Sequence, residues 1–230
     1  MEFLFIMESE KIYERIQNAK LKANRNDKIF FTAVSKTRTV DEMKEAEKIS
    51  WVDFFGENRV QEAEQKKWPS KISWRLIGHL QNNKARKAVE IFDYIDSVDS
   101  VELALRLNRI SGELNKIMPV LIEVNTSGEE SKTGIAPEKF SELLDVTAQQ
   151  KNLRLDGLMT VGPLTNDEYK IRKSFAALRE LCEGARISTG LKMPVLSMGM
   201  SDDFEEAILE GSTMIRIGTL LFGARIYHQN

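Results

Sequence analysis

Short apolar runs alternate with longer amphipathic segments along almost the whole chain. The apolar runs are rich in β-branched and aromatic residues, which is typical of strands that are covered on both faces of a sheet. Strands are predicted at 30–37, 52–56, 72–78, 92–98, 118–124, 153–159, 194–198 and 213–217. An amphipathic helix over about 8–24 precedes the first strand, and a helical segment follows each strand in turn.

Strict alternation of strands and helices predicts a parallel sheet. Eight such units in 230 residues fit a closed (β/α)8 TIM barrel, whose usual length is about 250 residues. We therefore predict an α/β protein with a single barrel domain over residues 1–230. The alternative is an open doubly wound sheet, although no G-x-G-x-x-G follows the first strand, which weakens a nucleotide-binding version of that fold.

Polar residues mark the predicted helix starts. Thr39 and Glu42 have the spacing of a capping box, and Asn58 is predicted to cap the next helix with Gln61 in the reciprocal position. Further helices are predicted to begin near Asn82, Asp99, Pro137, Thr165 and Ser201. The helix that starts near Thr165 is expected to reach about Glu183.

Charge and cysteine content narrow the functional classes. The net charge of −2 does not indicate a nucleic-acid-binding protein. Small basic clusters occur at 84–87 and 170–173, and such clusters are typical of solvated helix faces. The single cysteine, Cys182, excludes an internal disulfide and fits a reducing compartment. The two histidines, His79 and His228, are too far apart in sequence to suggest a zinc site. The apolar N-terminal stretch is too short for a signal peptide or a membrane span, so we expect a cytoplasmic protein.

Lys36 is the first candidate for chemistry. It lies at the C-terminal end of the first predicted strand, where this barrel fold places active-site groups. A lysine on the last inward position of a buried strand must be paired, neutral or covalently used. Two interpretations are open: Lys36 marks the exit of the strand into solvent, or its amine is kept partly deprotonated and forms an imine with a carbonyl compound.

A second candidate site lies in the loops after strands seven and eight, which commonly bind phosphate in this fold. Gly218 would let the backbone approach an oxyanion closely, and the hydroxyls of Ser201 and Thr219 can donate hydrogen bonds. The simpler interpretation is that Ser201 is a helix N-cap and Gly218 a turn residue, and for Ser201 both roles are compatible. Asp202 and Asp203 would repel a phosphate, so we expect them to face away from it.

A lysine opposite a phosphate site predicts a phosphorylated aldehyde as the ligand. Pyridoxal 5′-phosphate (PLP) fits this description, and so does a sugar phosphate held as an imine. Arg216, at the end of the eighth strand, would favour PLP if it faces the pyridine nitrogen, because a guanidinium only donates hydrogen bonds and would keep that nitrogen unprotonated. The alternative for Arg216 is a salt-bridged arginine of the barrel.

Seven motifs occur in order between residues 33 and 225. They read A-V-S-K-T at 33–37, G-E-N-R-V-Q-E at 56–62, W-R-L-I-G-H-L-Q-N-N-K at 74–84, V-N-T-S-G-E-E-S-K-T-G at 124–134, L-D-G-L-M-T at 155–160, L-S-M-G-M-S-D-D at 196–203, and R-I-G-T at 216–219 with F-G-A-R at 222–225. Together they resemble the pyridoxal phosphate homeostasis proteins, which are single-domain relatives of the alanine racemase barrel. The resemblance implies the alanine racemase N-terminal domain-like fold and PLP as the cofactor.

The resemblance also implies the residues that bind the cofactor. They are Lys36, Asn58, His79, Ser201, Arg216, Gly218 and Thr219. Lys36 would hold PLP as a Schiff base and Arg216 would face the pyridine nitrogen. The residues from the last two loops would bind the phosphate, and Asn58 and His79 would line the pocket near the ring. Lys132 matches a second family lysine, which would contact the phosphate or pass the cofactor on, unless it is a solvated loop residue.

The implied function is intracellular PLP homeostasis, in which the protein buffers the cofactor or delivers it to apo-enzymes, with Lys84 and Lys132 as open candidates for transfer. The alternatives are a PLP-dependent amino-acid racemase or related enzyme, and a lysine-dependent aldolase.

Racemisation needs an acid and a base on opposite faces of the intermediate. Alanine racemases carry a second, β-rich domain that supplies a tyrosine to one face, whereas this chain ends directly after the barrel. The chain has four tyrosines, none at a predicted strand exit: Tyr13, Tyr94, Tyr169 and Tyr227. We therefore expect little or no racemase activity. We also expect a monomer, because no dimerising domain is evident, and no nucleic-acid or membrane partner.

Overall fold

Eight parallel strands close into a barrel in the computed structural model, which describes residues 2–224. The strands pair in chain order and β8 returns to β1, so that Phe31 lies beside Ile215 in register. The strands are β1 Phe30–Val34, β2 Phe54–Glu57, β3 Ser73–Leu76, β4 Tyr94–Val98, β5 Met118–Glu123, β6 Leu153–Met159, β7 Val195–Ser197 and β8 Met214–Ile217. The predicted (β/α)8 barrel is therefore confirmed, and the open doubly wound sheet is excluded.

Helices surround the barrel in the described part of the chain. They are α1 Glu2–Lys22, α2 Val40–Glu47, α3 Val60–Lys66, α4 Ala85–Ile91, α5 Val101–Glu113, α6 Phe140–Ala148, α7 Glu168–Thr189, α8 Phe204–Leu209 and α9 Thr219–Phe222. Short 3-10 turns, Asn82–Lys84 and Pro137–Lys139, precede α4 and α6. The first helix begins at Glu2 rather than near residue 8, and it ends at Lys22. None of these helices is both long and apolar enough to cross a membrane.

The helix starts agree only in part with the capping patterns. Thr39 and Glu42 form the predicted capping box, in which the Thr39 hydroxyl accepts from the Glu42 N–H and the Glu42 carboxylate accepts from the Thr39 N–H. Asn58 is not the cap of α3, because Arg59 occupies that position and makes no side-chain cap bond. Ser201 is not a cap either, since residues 201–203 form a turn and α8 begins at Phe204.

The start and end of α7 also differ from the prediction. Asp167 caps this helix by accepting from the N–H groups of Tyr169 and Lys170, while Thr165 binds the Asp167 N–H one step earlier. The helix continues past Glu183 to Thr189, where Gly190 ends it in the left-handed conformation with φ 72°. A glycine adopts this conformation without steric cost, which explains why the helix stops there.

The hydrophobic core has two parts. The larger part fills the space between the outer faces of the strands and the helices, and the smaller part, formed by Leu121, Met159 and Met214, fills one layer inside the barrel. Close strand packing also requires a glycine at Gly157, because a Cβ there would overlap the carbonyl oxygen of Val195. The interior is therefore packed, and the space for a ligand lies at the carboxyl ends of the strands.

Candidate functional site

A small cleft opens at the carboxyl ends of β1, β7 and β8. Its volume is about 150 Å³. It is lined by Val34, Lys36, Arg38, Met200, Ser201, Asp202, Arg216, Gly218 and Thr219. Five of the seven predicted cofactor-binding residues thus share one cleft, and the two outside this lining are Asn58 and His79.

Lys36 lies beyond the first strand rather than on it. The strand β1 ends at Val34, and residues 35–38 form a turn that is closed by a 3.0 Å bond from the Arg38 N–H to the Ser35 carbonyl oxygen. The Lys36 side chain is partly buried and lines the cleft. The predicted strand end at residue 37 is therefore wrong, because the chain turns earlier, yet the lysine still lies at the cleft.

Arg216 is almost fully buried and is anchored by oxygens from two neighbouring strand ends. Its Nη1 donates to the carbonyl oxygen and to the hydroxyl of Ser197, both at 2.8 Å, and its Nη2 donates to the carbonyl oxygen of Thr160 at 2.8 Å. These three bonds go to neutral oxygens, so Arg216 differs from the salt-bridged barrel arginine that was the alternative. They occupy three of the five guanidinium N–H donors, and two donors remain for other contacts.

Burial lowers the pKa of Arg216. The carboxylates of Asp96, Asp203 and Glu123 act in the opposite direction. Of these three acids, Asp96 has its own partner, because it forms a bidentate ion pair with the buried Arg75. The barrel mouth therefore contains a buried cation whose charge is offset by two acids on other strands and one in the turn before α8, without a direct contact between them.

The loops after β7 and β8 approach each other at Ser201. The Ser201 hydroxyl accepts from the Leu220 N–H over 3.5 Å, a long contact between the two loops. Gly218 precedes α9, and a Cβ at this position would lie 3.3 Å from both the Cβ and the carbonyl oxygen of Val34. The glycine therefore lets the exit of β8 pass close to β1, which is a structural reason for its identity besides any contact with an anion.

The two aspartates after Ser201 have different surroundings. Asp203 is buried, its Oδ1 accepts from the Met200 N–H at 2.6 Å, and burial raises the pKa of its carboxyl group. Asp202 is exposed and lines the cleft. The expectation that both aspartates face away from the candidate phosphate site is therefore wrong for Asp202.

Arg38 is a lining residue that sequence reasoning missed. Its guanidinium donates to the Glu42 carboxylate at 3.3 Å and to the Gly223 carbonyl oxygen, and it lies over the ring of Phe222. It adds a second cation to the Lys36 side of the cleft. Its position two residues after Lys36, directly after the first motif, was the available signal, but its side chain reaches the cleft only because the chain turns after Val34.

The remaining candidates lie around the cleft rather than in it. His79 is exposed, and its Nδ1 lies 2.8 Å from a carboxylate oxygen of Asp99. Asn58 is partly buried, and its backbone packs so closely on Gly78 that a Cβ on the glycine would lie 2.5 Å from the Asn58 carbonyl oxygen. Lys132 lines a neighbouring pocket that shares lining residues with the cleft, and Lys84 ends the short turn before α4.

Comparison with known proteins gives this arrangement a family. Residues 8–226 match the family model described as alanine racemase, N-terminal domain. A Pseudomonas aeruginosa protein named pyridoxal phosphate homeostasis protein is 41% identical over 221 residues, which cover 94% of this chain and 94% of the relative. The chain belongs to the pyridoxal phosphate homeostasis protein family. The family resemblance of the seven motifs is thereby confirmed. Arg225, the last residue of the seventh motif, lies outside the described residues, as do Tyr227 and His228.

Solved structures show the fold of this family and of its distant relatives. The structure of PipY from Synechococcus elongatus with PLP bound is 37% identical, has a TM-score of 0.79, and covers 91% of this chain and 99% of PipY. An alanine racemase from Clostridium difficile is 17% identical, with a TM-score of 0.76 over 94% of this chain and 59% of the racemase. At that level of identity, the racemase shows a shared barrel and nothing about activity.

Proposed function

We propose that this protein binds pyridoxal 5′-phosphate at Lys36 and buffers the cofactor or delivers it to other proteins. The observation that carries the proposal is that Lys36, Arg216 and the hydroxyl-bearing Ser201 and Thr219 line the same cleft. The names of the family relatives and the PLP-bound PipY structure support it.

The residues present fit such a cofactor. The Lys36 amine would condense with the aldehyde to a Schiff base, with a new N–C bond and the carbonyl oxygen released as water. Ser201 and Thr219 offer hydroxyl donors to the phosphate, and Gly218 offers its backbone. The negative charge of Asp202 opposes a phosphate here, and the guanidinium of Arg38, which lines the same cleft, acts in the opposite direction.

Arg216 has the right chemistry for the pyridine nitrogen. Its anchors on Ser197 and Thr160 fix the guanidinium and leave two N–H donors. A guanidinium stays protonated in proteins, so Arg216 would donate to an unprotonated ring nitrogen, and the bound cofactor would be a weak electron sink. This property suits a carrier better than an enzyme that stabilises carbanions.

For Asn58 and His79 we propose contacts near the cofactor ring, from the β2 and β3 side of the mouth. Both follow the ends of those strands, and the bond of His79 Nδ1 to Asp99 leaves Nε2 available. For Lys132 we propose a role in cofactor transfer, because its pocket adjoins the cleft through Met200 and Asp202.

We further propose that the protein is a carrier with little or no racemase activity. Racemisation needs a second proton-transfer group opposite Lys36. Within residues 2–224 the three tyrosines lie away from the cleft: Tyr13 and Tyr169 are exposed on helices, and Tyr94 starts β4 at the other end of the barrel. The homologous proteins carry a homeostasis name rather than an enzyme name.

The proposals of a cytoplasmic location and a monomeric state rest mainly on the sequence. The buried free thiol of Cys182 supports a reducing compartment. For partners, we propose apo-enzymes that receive PLP from this protein.

The test is an absorption spectrum of the protein loaded with PLP, compared with the Lys36→Ala variant. We expect visible absorption in the wild type that borohydride bleaches while fixing the cofactor to the chain, and no fixation in the variant. Fixation in Lys36→Ala would contradict the assignment of Lys36. A protein that binds no PLP and instead fixes a sugar phosphate would support the aldolase, and sustained loss of optical purity of alanine or serine would support the racemase.

A further inference from the structure

The turn that carries Lys36 is held by two side chains of α3. The Nζ of Lys66 donates to the Ser35 carbonyl oxygen at 2.8 Å, and the Oε1 of Glu62 accepts from the Thr37 N–H at 2.5 Å. Ser35 and Thr37 are the immediate neighbours of Lys36. The backbone is thus bound on both sides of the lysine by a single helix.

The bonding groups form one network with the Lys66 ammonium at its centre. Lys66 also donates to Glu57 Oε1 at 3.1 Å and to Glu62 Oε1 at 2.5 Å, and the Ser35 hydroxyl donates to Glu57 Oε1 at 2.7 Å. The Glu57 side chain is fully buried and that of Lys66 is 11% exposed. All three donors of the Lys66 ammonium are therefore used inside the protein, which fixes its position.

The conformation of Thr37 explains why such a network is needed. Thr37 has φ 63°, in the left-handed region that a β-branched residue rarely adopts. This backbone conformation is unfavourable for threonine by itself, so contacts with the surrounding structure must stabilise it. The bond from the Thr37 N–H to Glu62 does so, and the network thereby sets the direction in which the chain leaves Lys36.

We propose that Lys66, Glu62 and Glu57 are positioning residues that hold the Lys36 amine in reach of the aldehyde. This inference rests on the proposed function. The covalent step joins the lysine nitrogen to the aldehyde carbon and releases the carbonyl oxygen as water, so it depends on the direction of the amine. Binding of the phosphate depends on the loops after β7 and β8 instead. Loss of the network therefore lowers the fraction of protein competent for the covalent step and leaves phosphate binding intact.

Two ligands separate these effects. PLP carries the aldehyde, whereas pyridoxine 5′-phosphate carries an alcohol at the same carbon and forms no bond to lysine. For Glu62→Ala and Lys66→Met we expect the affinity for PLP to be about tenfold lower. This corresponds to a turn at residues 35–38 that is competent for the covalent step in about a tenth of the molecules. The affinity of both variants for pyridoxine 5′-phosphate, measured by calorimetry, should equal that of the wild type.

The chain offers a matched control and a rescue. Glu64 lies on the same helix but pairs with Lys87 on the surface at 2.6 Å, so Glu64→Ala should bind both ligands like the wild type. Glu62→Gln keeps an oxygen that can accept from the Thr37 N–H, and we expect a smaller loss of PLP affinity than in Glu62→Ala. If the alanine variant does not fold, the glutamine and Lys66→Met variants supply the comparison.

Two results would overturn the inference. One is an equal loss of affinity for both ligands, which would show that the network only stabilises the fold, and the other is wild-type affinity for PLP in Glu62→Ala and Lys66→Met. The Lys36→Ala variant distinguishes failure of the network inference from failure of the proposed function. Fixation of PLP in Lys36→Ala would contradict the assignment of Lys36, on which the proposed function and this inference both rest, whatever the network variants show.

Discussion

Arg216 and Ser197 are joined by two hydrogen bonds at the ends of adjacent strands. One guanidinium nitrogen, Nη1, donates to both the carbonyl and the hydroxyl oxygen of the serine at 2.8 Å. The register of β7 and β8 brings the two residues together. A third bond, to Thr160, extends the anchorage to β6. The direction of this cation is therefore set by contacts within the barrel.

The first prediction concerns this anchorage. In Arg216→Lys a single ammonium replaces the fork, so buried oxygens of Ser197 and Thr160 lose partners. We expect the free energy of unfolding to fall by about 1.5–3 kcal/mol, the usual range for hydrogen bonds to a charged group. We also expect PLP affinity to fall by about tenfold, the equivalent of one good hydrogen bond. Denaturant unfolding and absorbance titration measure the two effects.

A control for this variant is Arg154→Lys, which changes an exposed arginine paired with Asp156 on β6. It should leave both quantities unchanged, since exposed ion pairs contribute little. Full PLP affinity in Arg216→Lys would show that the guanidinium does not contact the cofactor.

The second prediction concerns the phosphate. Removal of the hydroxyl in Ser201→Ala or Thr219→Ala should weaken binding of PLP and of inorganic phosphate by about three- to tenfold each, because a neutral hydrogen bond contributes about 0.5–1.5 kcal/mol. Competition titrations with inorganic phosphate measure both ligands on one protein. Ser141→Ala, on the exposed face of α6, is the matched control. If PLP binding fell while phosphate binding did not, the hydroxyls would contact another part of the cofactor.

The barrel was predictable from the sequence because its signals are local and repeated. Each strand is a short apolar run, and the strand–helix alternation requires only the neighbouring segments to be recognised. The helix starts were less predictable, because several polar residues compete at each one. Asp167 caps α7 although Thr165 precedes it with a suitable side chain, and Arg59 takes the cap position of α3 although Asn58 is the better capping residue.

The candidate site was predictable where the strand order alone brings residues together. Lys36 and Gly218 follow β1 and β8, which are neighbours only when the barrel closes. The orientation of Asp202 and the approach of Arg38 depend on turns, one after β7 and one after β1, whose conformations carry no clear signal in the sequence. The network of Lys66 and Glu62 was also missed, because an (i, i+4) pair on a helix normally indicates a solvated salt bridge.

The third prediction follows from the position of Asp202. Its carboxylate lines the cleft on the side of the candidate phosphate site, so Asp202→Asn removes a repulsion. We expect PLP to bind about three- to tenfold more tightly at low ionic strength, which corresponds to about 1 kcal/mol, the interaction of two charges about 4 Å apart in water. The gain should shrink as salt is added. Asp145→Asn on exposed α6 makes the same charge change away from the cleft and should have no effect. An unchanged affinity in Asp202→Asn would place the phosphate elsewhere.

The fourth prediction concerns stability and pH. Glu123 is buried at the end of β5. One oxygen is bound by the Thr133 hydroxyl at 2.5 Å, and the other has no hydrogen-bond partner among residues 2–224. Burial raises the pKa of Glu123 above its ordinary value of 4.5, and Asp99 acts in the same direction, while the hydrogen bond from Thr133 and the positive charge of Arg216 oppose it. The folded state therefore holds the proton more tightly than the unfolded state does.

A carboxyl group with a raised pKa stabilises the fold fully only below its unfolded pKa. The contribution is lost as the pH rises from about 4.5 through the higher folded-state pKa. Glu123→Gln keeps the acceptor for Thr133 and cannot ionise, so its advantage over the wild type should be small at pH 4 and larger at pH 7. Denaturant unfolding at a series of pH values measures this difference, and Glu142→Gln on the exposed face of α6 is the control. A difference that stays constant from pH 4 to pH 7 would show that Glu123 does not titrate in this window, and a wild type that gains stability over the variant as the pH rises would show that its folded-state pKa is lowered instead.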